Sequence, residues 1–358
     1  MKIVTIHPVY ALEKSFFTRD LGQIGFTLQK FIWWESEVRC LKWKRQSDFN
    51  ISWQQRHWTT YRWLVKKLWK ESKNISLLHT YHIWYWSFIY AVIYKFRNPK
   101  GIHYIKLDAS IKNMNDLKYI FRIFNLPLLI LSTYIWYEDD RIGSRLKKTY
   151  QSFIPQIIKT TSGINPVQKF IGNIVKKNNI LLCWRFGNEQ KNNELLIEML
   201  LHNNTHFLDW RKFILLWSYT SGFIDKLENL FTKKPKFRDR FELPGFVTDV
   251  DKKYEYFCSS KIFLHTANFE WDPNIQYDAM FGGCFMISTN VGNMIGNYMP
   301  QYSIFYNKQD TQWLYISLFS WIQREKSLYR KDYLSIQDHC LAHFTWGNAM
   351  APLIKLAK

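Results

Sequence analysis

The sequence predicts an α/β protein built of two parallel-sheet domains, and three observations carry that expectation. Short apolar strand candidates alternate with longer segments of helical period: KIVTIH, ISLLH, IHYIKL and LLILSTYIWY first, then NILLCW, KFILLWS and KIFLHTA. That alternation is the pattern of strands joined by helical crossovers. The chain has 358 residues and 47% hydrophobic content, enough for two ordinary cores and too apolar for a disordered chain. Between the halves, TTSGINPVQKF carries Gly163 and Pro166 and reads as a linker over 160–175.

Charge is distributed unequally. The formal net charge is +20, and 29 basic against 11 acidic residues lie within positions 1–180, leaving 20 against 18 beyond them. One domain is therefore expected to face an anionic surface, whether acidic lipid headgroups, a lipid-linked phosphate or nucleic acid.

Five cysteines, Cys40, Cys183, Cys258, Cys284 and Cys340, are odd in number and widely spaced, which indicates a reducing compartment. MKIVTIHPVY has one lysine and Pro8, so it reads as a buried first strand rather than a signal peptide, and a cytoplasmic chain is expected. Asn74 to Tyr94 contains no Asp, Glu, Lys or Arg over 21 residues, the length of a bilayer span. The other reading is a strand, a loop and an aromatic-rich helix, which His79 and His82 favour. Between Gln55 and Lys73 a helix is expected with Trp58, Tyr61, Val65, Leu68 and Trp69 on one face and Arg62, Lys66, Lys67 and Lys70 close by. It suits either a membrane interface or an ordinary core.

The residues that carry chemistry lie in HTANFEWDPNIQYDAMFGGCFMISTNVG, where Glu270 and Asp278 are eight apart after the strand KIFLHTA. Asp272 suits an N-cap and Pro273 a first helical position, so a helix is expected from Pro273 to about Phe281, ended by Gly282 and Gly283. Glu270 then sits on the loop before the helix and Asp278 on it, with the helix N-terminus suited to an anion such as a diphosphate.

This segment resembles the E-x7-E region of the retaining GT-B glycosyltransferases of family 4. Asp278-Ala279-Met280 and Gly283-Cys284 repeat the order around the second acid there. ILLCWRFGNEQKNNELLIEMLL resembles the family's G-R-[L/F]…K-[N/G] element, with Arg185 and Lys191 in its cationic positions. FFTRDLGQIGFTLQKF resembles a glycine-bearing loop near the N-terminus, with Gly22 and Gly25. HYIKLDAS ends with Asp108 where many relatives have a histidine, and AHFTWGNAMAPLIKLAK resembles the closing helix. The resemblance is strongest over 175–358 and weaker over 1–150.

It implies the GT-B fold, two Rossmann-like domains facing across a cleft. Residues 1–165 would be the acceptor and membrane-facing domain, 170–338 the nucleotide-sugar domain, and 339–358 a helix crossing back to the first. It further implies a retaining, metal-independent, hexosyltransferase-like glycosyltransferase needing no cofactor. In that scheme Arg185 and Lys191 stabilise the donor diphosphate, Glu270 holds the sugar, Asp278 holds the ribose, and Gly22 and Gly25 approach the phosphates. Asp108 assists as a base or sugar ligand. The basic, aromatic first domain suggests a lipid-linked glycan acceptor at the inner face of a bacterial membrane, in surface polysaccharide synthesis.

The chain departs from the family pattern at several points. Trp271-Asp272-Pro273-Asn274 stands where glycine usually follows the first Glu, the second acid is one methylene shorter, Trp184 replaces a glycine, and KFILLWSYTSG lacks a glycine at its end. These departures motivate an alternative, a non-catalytic homologue serving as partner of an active glycosyltransferase. A nucleic-acid-binding role is not expected, because no such module is present. Asp249-Val250-Asp251 matches the metal-binding D-x-D of GT-A enzymes, but the surrounding PGFVTDVDKKYEYF reads as a helix start with Asp249 or Asp251 as its N-cap.

Overall fold

The computed structural model describes residues 1–6, 20–40, 55–58, 61–82, 85–107, 122–138, 140–150, 157–270, 272–306, 310–325 and 327–357. The chain divides into two compact units, 1–163 with 346–358, and 164–345.

The first unit has seven described strands: β1 (Lys2–Ile6), β2 (Glu35–Cys40), β3 (Gln55–Trp58), β4 (Leu77–Tyr81), β5 (Ile102–Leu107), β6 (Tyr134–Tyr137) and β7 (Ile157–Lys159). They form one parallel sheet in the order β3-β2-β1-β4-β5-β6-β7. Its helices are α1 (Asp20–Ile32), α2 (Tyr61–Glu71), α3 (Tyr85–Arg97), α4 (Arg122–Leu131) and α5 (Asp140–Tyr150). A sheet covered on both faces must satisfy any polar group on its central strands. Thr5 and His79, paired in register on β1 and β4, do so with their side chains 3.3 Å apart. His103 on β5 lies between the hydroxyls of Thr80 and Ser132 at 3.0 and 3.1 Å. Burial pushes the His103 pKa down to about 3, so its imidazole stays neutral.

Strand β2, paired on both sides by β1 and β3, escapes a hydrophobic-pattern reading because Glu37 and Arg39 are its fully buried residues. Arg39 donates two hydrogen bonds to the Glu37 carboxylate at 2.8 and 3.0 Å and also bonds Glu71 of α2. Lys2 and Lys67 approach Glu37 at 2.7 and 3.2 Å. Burial alone would raise the Glu37 pKa; the Arg39 and Lys2 cations overcome it and hold it at about 2.

Two sequence expectations change here, and over Asn74–Tyr94 the strand-and-helix reading is the one the structure shows. LLILSTYIWY is not one strand: α4 runs through Leu131, and β6 begins at Tyr134. A short apolar run fits a buried helix end as well as a strand, and periodicity cannot separate them. Gln55–Lys73 is not one helix, since Trp58 lies on β3 and α2 starts at Tyr61, turning Leu64 and Leu68 inward. Asn74–Tyr94 holds β4 and most of α3, and no described helix is long and apolar enough to cross a membrane.

The second unit has β8 (Lys177–Cys183), α6 (Glu194–His202), β9 (Lys212–Leu216), α7 (Ser221–Lys233), β10 (Phe241–Gly245), α8 (Val250–Ser259), β11 (Ser260–His265), α9 (Ile275–Phe281), β12 (Phe285–Thr289), α10 (Met294–Asn297), β13 (Ser303–Tyr306), α11 (Thr311–Glu325) and α12 (Arg330–His343). Its parallel sheet runs β10-β9-β8-β11-β12-β13, and each apolar strand segment of this half expected from sequence falls on a strand. Both sheets therefore have a doubly wound order, which reverses direction between β1 and β4 and between β8 and β11.

The last helix, α13 (Trp346–Ala357), belongs to the first unit. Trp346, Ala349, Met350 and Leu353 are buried with Ile24, Leu28 and Trp34. The break before it falls at 344–345, because residues 339–343 continue α12 in the second unit.

Candidate functional site

Loops leaving the C-terminal ends of two adjacent strands that wind in opposite directions form a natural binding crevice. In the second unit these are the loops after β8 and β11, and they carry Arg185, Lys191 and Glu270. Trp184 turns inward: it is buried, meets the His265 ring edge-on at 4.5 Å, and its indole N–H donates to Asn193. The bulk that replaces the family glycine thus lies in the core. Gly187 follows at φ +81, where an added Cβ would stand 1.9 Å from Thr220 Oγ1, so both conformation and space require glycine. Asn192 completes the turn at φ +45, a conformation asparagine tolerates, and α6 begins at Glu194.

The two loops are laced together. Asn268 N–H donates to Gln190 O at 2.8 Å, Asn268 Nδ2 to Glu189 O at 2.9 Å, and Gln190 Nε2 to Phe269 O at 3.3 Å. Thr266 Oγ1 donates to Lys191 O at 2.9 Å, while within the first loop Asn193 Nδ2 donates to Arg185 O at 3.1 Å. Across this seam the Lys191 ammonium forms an ion pair with the Glu270 carboxylate, both side chains largely buried. Arg185 is exposed on the same loop as Lys191 and makes no ion pair among the described residues. Behind the seam, burial and then the Lys191 charge hold His265 well below its ordinary pKa, as a neutral imidazole.

Asp278 lies on α9 and is already engaged. Its Oδ1 accepts from the Tyr254 hydroxyl at 2.7 Å and its Oδ2 from Lys253 Nζ at 2.8 Å, both from α8. Burial, and then the Asp278 charge, raise the Tyr254 pKa well above its ordinary value, so the phenol remains a donor. Sequence reading missed Lys253 and Tyr254, because their contact depends on α8 packing against α9 rather than on local spacing.

The helix after Glu270 starts two residues later than expected, at Ile275, and Asp272 is not its cap. The Asp272 carboxylate is instead buried, accepting from Gln276 Nε2 at 2.6 Å, the Tyr277 hydroxyl at 2.7 Å and Asn297 Nδ2 at 3.2 Å. The negative charge that departs from the family pattern is thereby taken up by donors from α9 and α10.

Gly22 and Gly25 do not lie on a loop. They are buried in the first two turns of α1, where Ile24 and Leu28 set the inward face. Asp108 lies outside the described residues. The strand preceding it ends in a buried ion pair between Lys106 and Glu138 at 2.9 Å, with Ser162 donating to the same carboxylate oxygen. Asp249 caps α8, accepting from Lys252 N–H at 2.9 Å, and Asp251 pairs with Lys169 at 2.8 Å, so both D-x-D acids have structural partners. A hollow of about 470 Å³ bounded by Lys177, Asn179, Ile214, Glu242, Lys252 and Tyr256 contains none of the expected site residues.

No family model and no curated protein matches the sequence. Solved structures do. HepE from Anabaena in complex with UDP superimposes with a TM-score of 0.71 at 11% identity, over 99% of this chain and 99% of that one. The catalytic domain of starch synthase IV from Arabidopsis thaliana, bound to ADP and acarbose, gives 0.70 at 13%, over 99% and 98%. The apo lipopolysaccharide outer core galactosyltransferase WaaB gives 0.67 at 14%, over 100% of both chains. The fold is GT-B. In this GT-B chain the second unit brings Arg185, Lys191 and Glu270 to the crevice between β8 and β11, while Asp278 meets α8 on the helix that follows.

Proposed function

We propose that the chain is a glycosyltransferase that moves a sugar from a nucleoside-diphosphate donor to an acceptor hydroxyl. The observation that carries this reading is the Lys191–Glu270 ion pair at the winding reversal of the second sheet, with Arg185 exposed on the loop that carries Lys191. A carboxylate that accepts sugar hydroxyls and two cations that neutralise a diphosphate are what departure of a nucleotide requires. The nucleotides named for the HepE and starch synthase structures support a donor of this class.

In the reaction the acceptor oxygen attacks the anomeric carbon as the bond from that carbon to the diphosphate oxygen breaks. Arg185 and Lys191 stabilise the negative charge that collects on the leaving group. Attack from the same face retains configuration, and the acceptor proton passes to the departing phosphate oxygen. Glu270 orients the sugar, Asp278 holds the ribose, and Asp108 stands as a proposed base or sugar ligand. The two cations serve the leaving group without a metal.

The acceptor we propose is a lipid-linked glycan of surface polysaccharide synthesis, reached by peripheral binding to the inner face of the membrane. The lipopolysaccharide enzyme WaaB among the structural neighbours supports this class. So does the outer side of α2 and α3, where Trp63, Trp69 and Phe96 are exposed among Arg62, Lys66, Lys70 and Arg97.

The test is thermal stabilisation by UDP, GDP, ADP and their glucose conjugates, with wild type beside Arg185→Ala and Glu270→Ala. Stabilisation by one nucleotide family that Arg185→Ala abolishes supports the donor site. No stabilisation of wild type by any of them replaces the reading with that of a non-catalytic partner subunit.

A further inference from the structure

Asp278 reaches one methylene less than the glutamate of the resembling family, and neither of its oxygens is bare. Tyr254, which holds one oxygen, is buried, whereas Lys253, which holds the other, remains about a quarter exposed at 27%. The lysine is also held in place: its ammonium lies 4.9 Å from the centre of the Tyr254 ring and 5.9 Å from that of Phe257. An ammonium has three donors and a carboxylate about four lone-pair sites. One donor and two lone-pair sites are used here, leaving about two of each on neighbouring atoms of side chains that stay 27% and 13% exposed.

A vicinal cis-diol matches that arrangement, since each hydroxyl both donates and accepts. We propose that Lys253 is a donor-binding residue that acts with Asp278 as a two-sided clamp on the ribose diol: the carboxylate accepts from the two hydroxyl protons, and the ammonium donates to the same two oxygens. The ammonium thereby makes good the reach that the shorter acid lacks. This inference rests on the donor-site reading above. A bare surface ion pair, by contrast, would add little to stability and nothing to ligand choice.

The experiment is calorimetric titration of wild type, Lys253→Met and Lys253→Arg with UDP, GDP and ADP and with the 2′-deoxy form of whichever binds. Wild type is expected to favour the ribo form about tenfold or more, as for a lost hydrogen bond to a charged group. In Lys253→Met the ribo form weakens toward the deoxy form and the ratio falls to about threefold or less, while Lys253→Arg restores part of it. Unfolding temperatures without ligand report whether each variant is folded. A Lys253→Met protein that is folded and keeps the wild-type ratio overturns the clamp while leaving the donor site standing. Failure of wild type to bind any of the three nucleotides overturns both.

Discussion

Lys191 and Glu270 are 79 residues apart in sequence and form an ion pair across the seam between the loops after β8 and β11. Four hydrogen bonds around them hold those loops at fixed spacing. The pair therefore joins fold to function, since either partner, once removed, leaves a largely buried charge alone. Lys191→Met and Glu270→Gln are each expected to destabilise the second unit, with a coupling energy of about 1–3 kcal/mol in a double-mutant cycle by chemical denaturation. Additive effects would show that the pair is not formed in solution.

Arg185 gives the opposite signature. It is exposed and makes no ion pair among the described residues, so Arg185→Ala should change stability by no more than about 0.5 kcal/mol. Turnover of the donor is expected to fall about 10²–10³-fold, the usual loss on removing one group that stabilises transition-state charge. Comparable turnover in the variant, measured as nucleotide release, would remove Arg185 from the leaving-group site.

The buried charges of β2 predict a pH dependence. The Glu37 pKa is lowered from 4.5 to about 2 on folding. A depressed carboxylate adds stability that is fully present above its unfolded value and is lost as pH falls through its folded value, so the window is about pH 4.5 down to 2. The shift corresponds to about 3 kcal/mol. Glu37→Gln should therefore be less stable than wild type at pH 7, and the two should converge toward pH 2 in urea melts followed by circular dichroism. A constant gap across that range would contradict the ion-pair account.

The exposed aromatics of α2 and α3 predict vesicle binding. Trp69 and Phe96 stack at 5.8 Å with the Arg97 guanidinium 5.0 Å from the Trp69 ring, an apolar wedge with a cation beside it. Exchanging both for serine should weaken flotation with phosphatidylglycerol vesicles by about tenfold or more. Raising the salt should weaken wild type as well. Equal binding to purely zwitterionic vesicles would exclude the electrostatic part.

Much of this was legible in the sequence where the signal is local. Runs such as IHYIKL and KFILLWS are apolar because both faces of a parallel sheet are covered, and they became β5 and β9. What escaped was set by tertiary contact. ESEVRC looks like surface until Lys2, Lys67 and Glu71 arrive around it. Asp272 looks like a helix cap until Tyr277 and Asn297 are seen to bond it, and Lys253 looks like solvent-facing charge until α8 meets α9. In each case the misleading residue is polar, and its meaning lies in a partner that no periodicity encodes.

The last helix adds a matter of timing. Met350 and Leu353 fill the core formed by Ile3, Ile24, Leu28 and Trp34, so the amino-terminal unit lacks a wall until residues near 353 have been synthesised. During translation the second unit has its whole sequence available earlier, although it begins later in the chain. The first unit must wait with an apolar face uncovered until that helix has emerged from the ribosome.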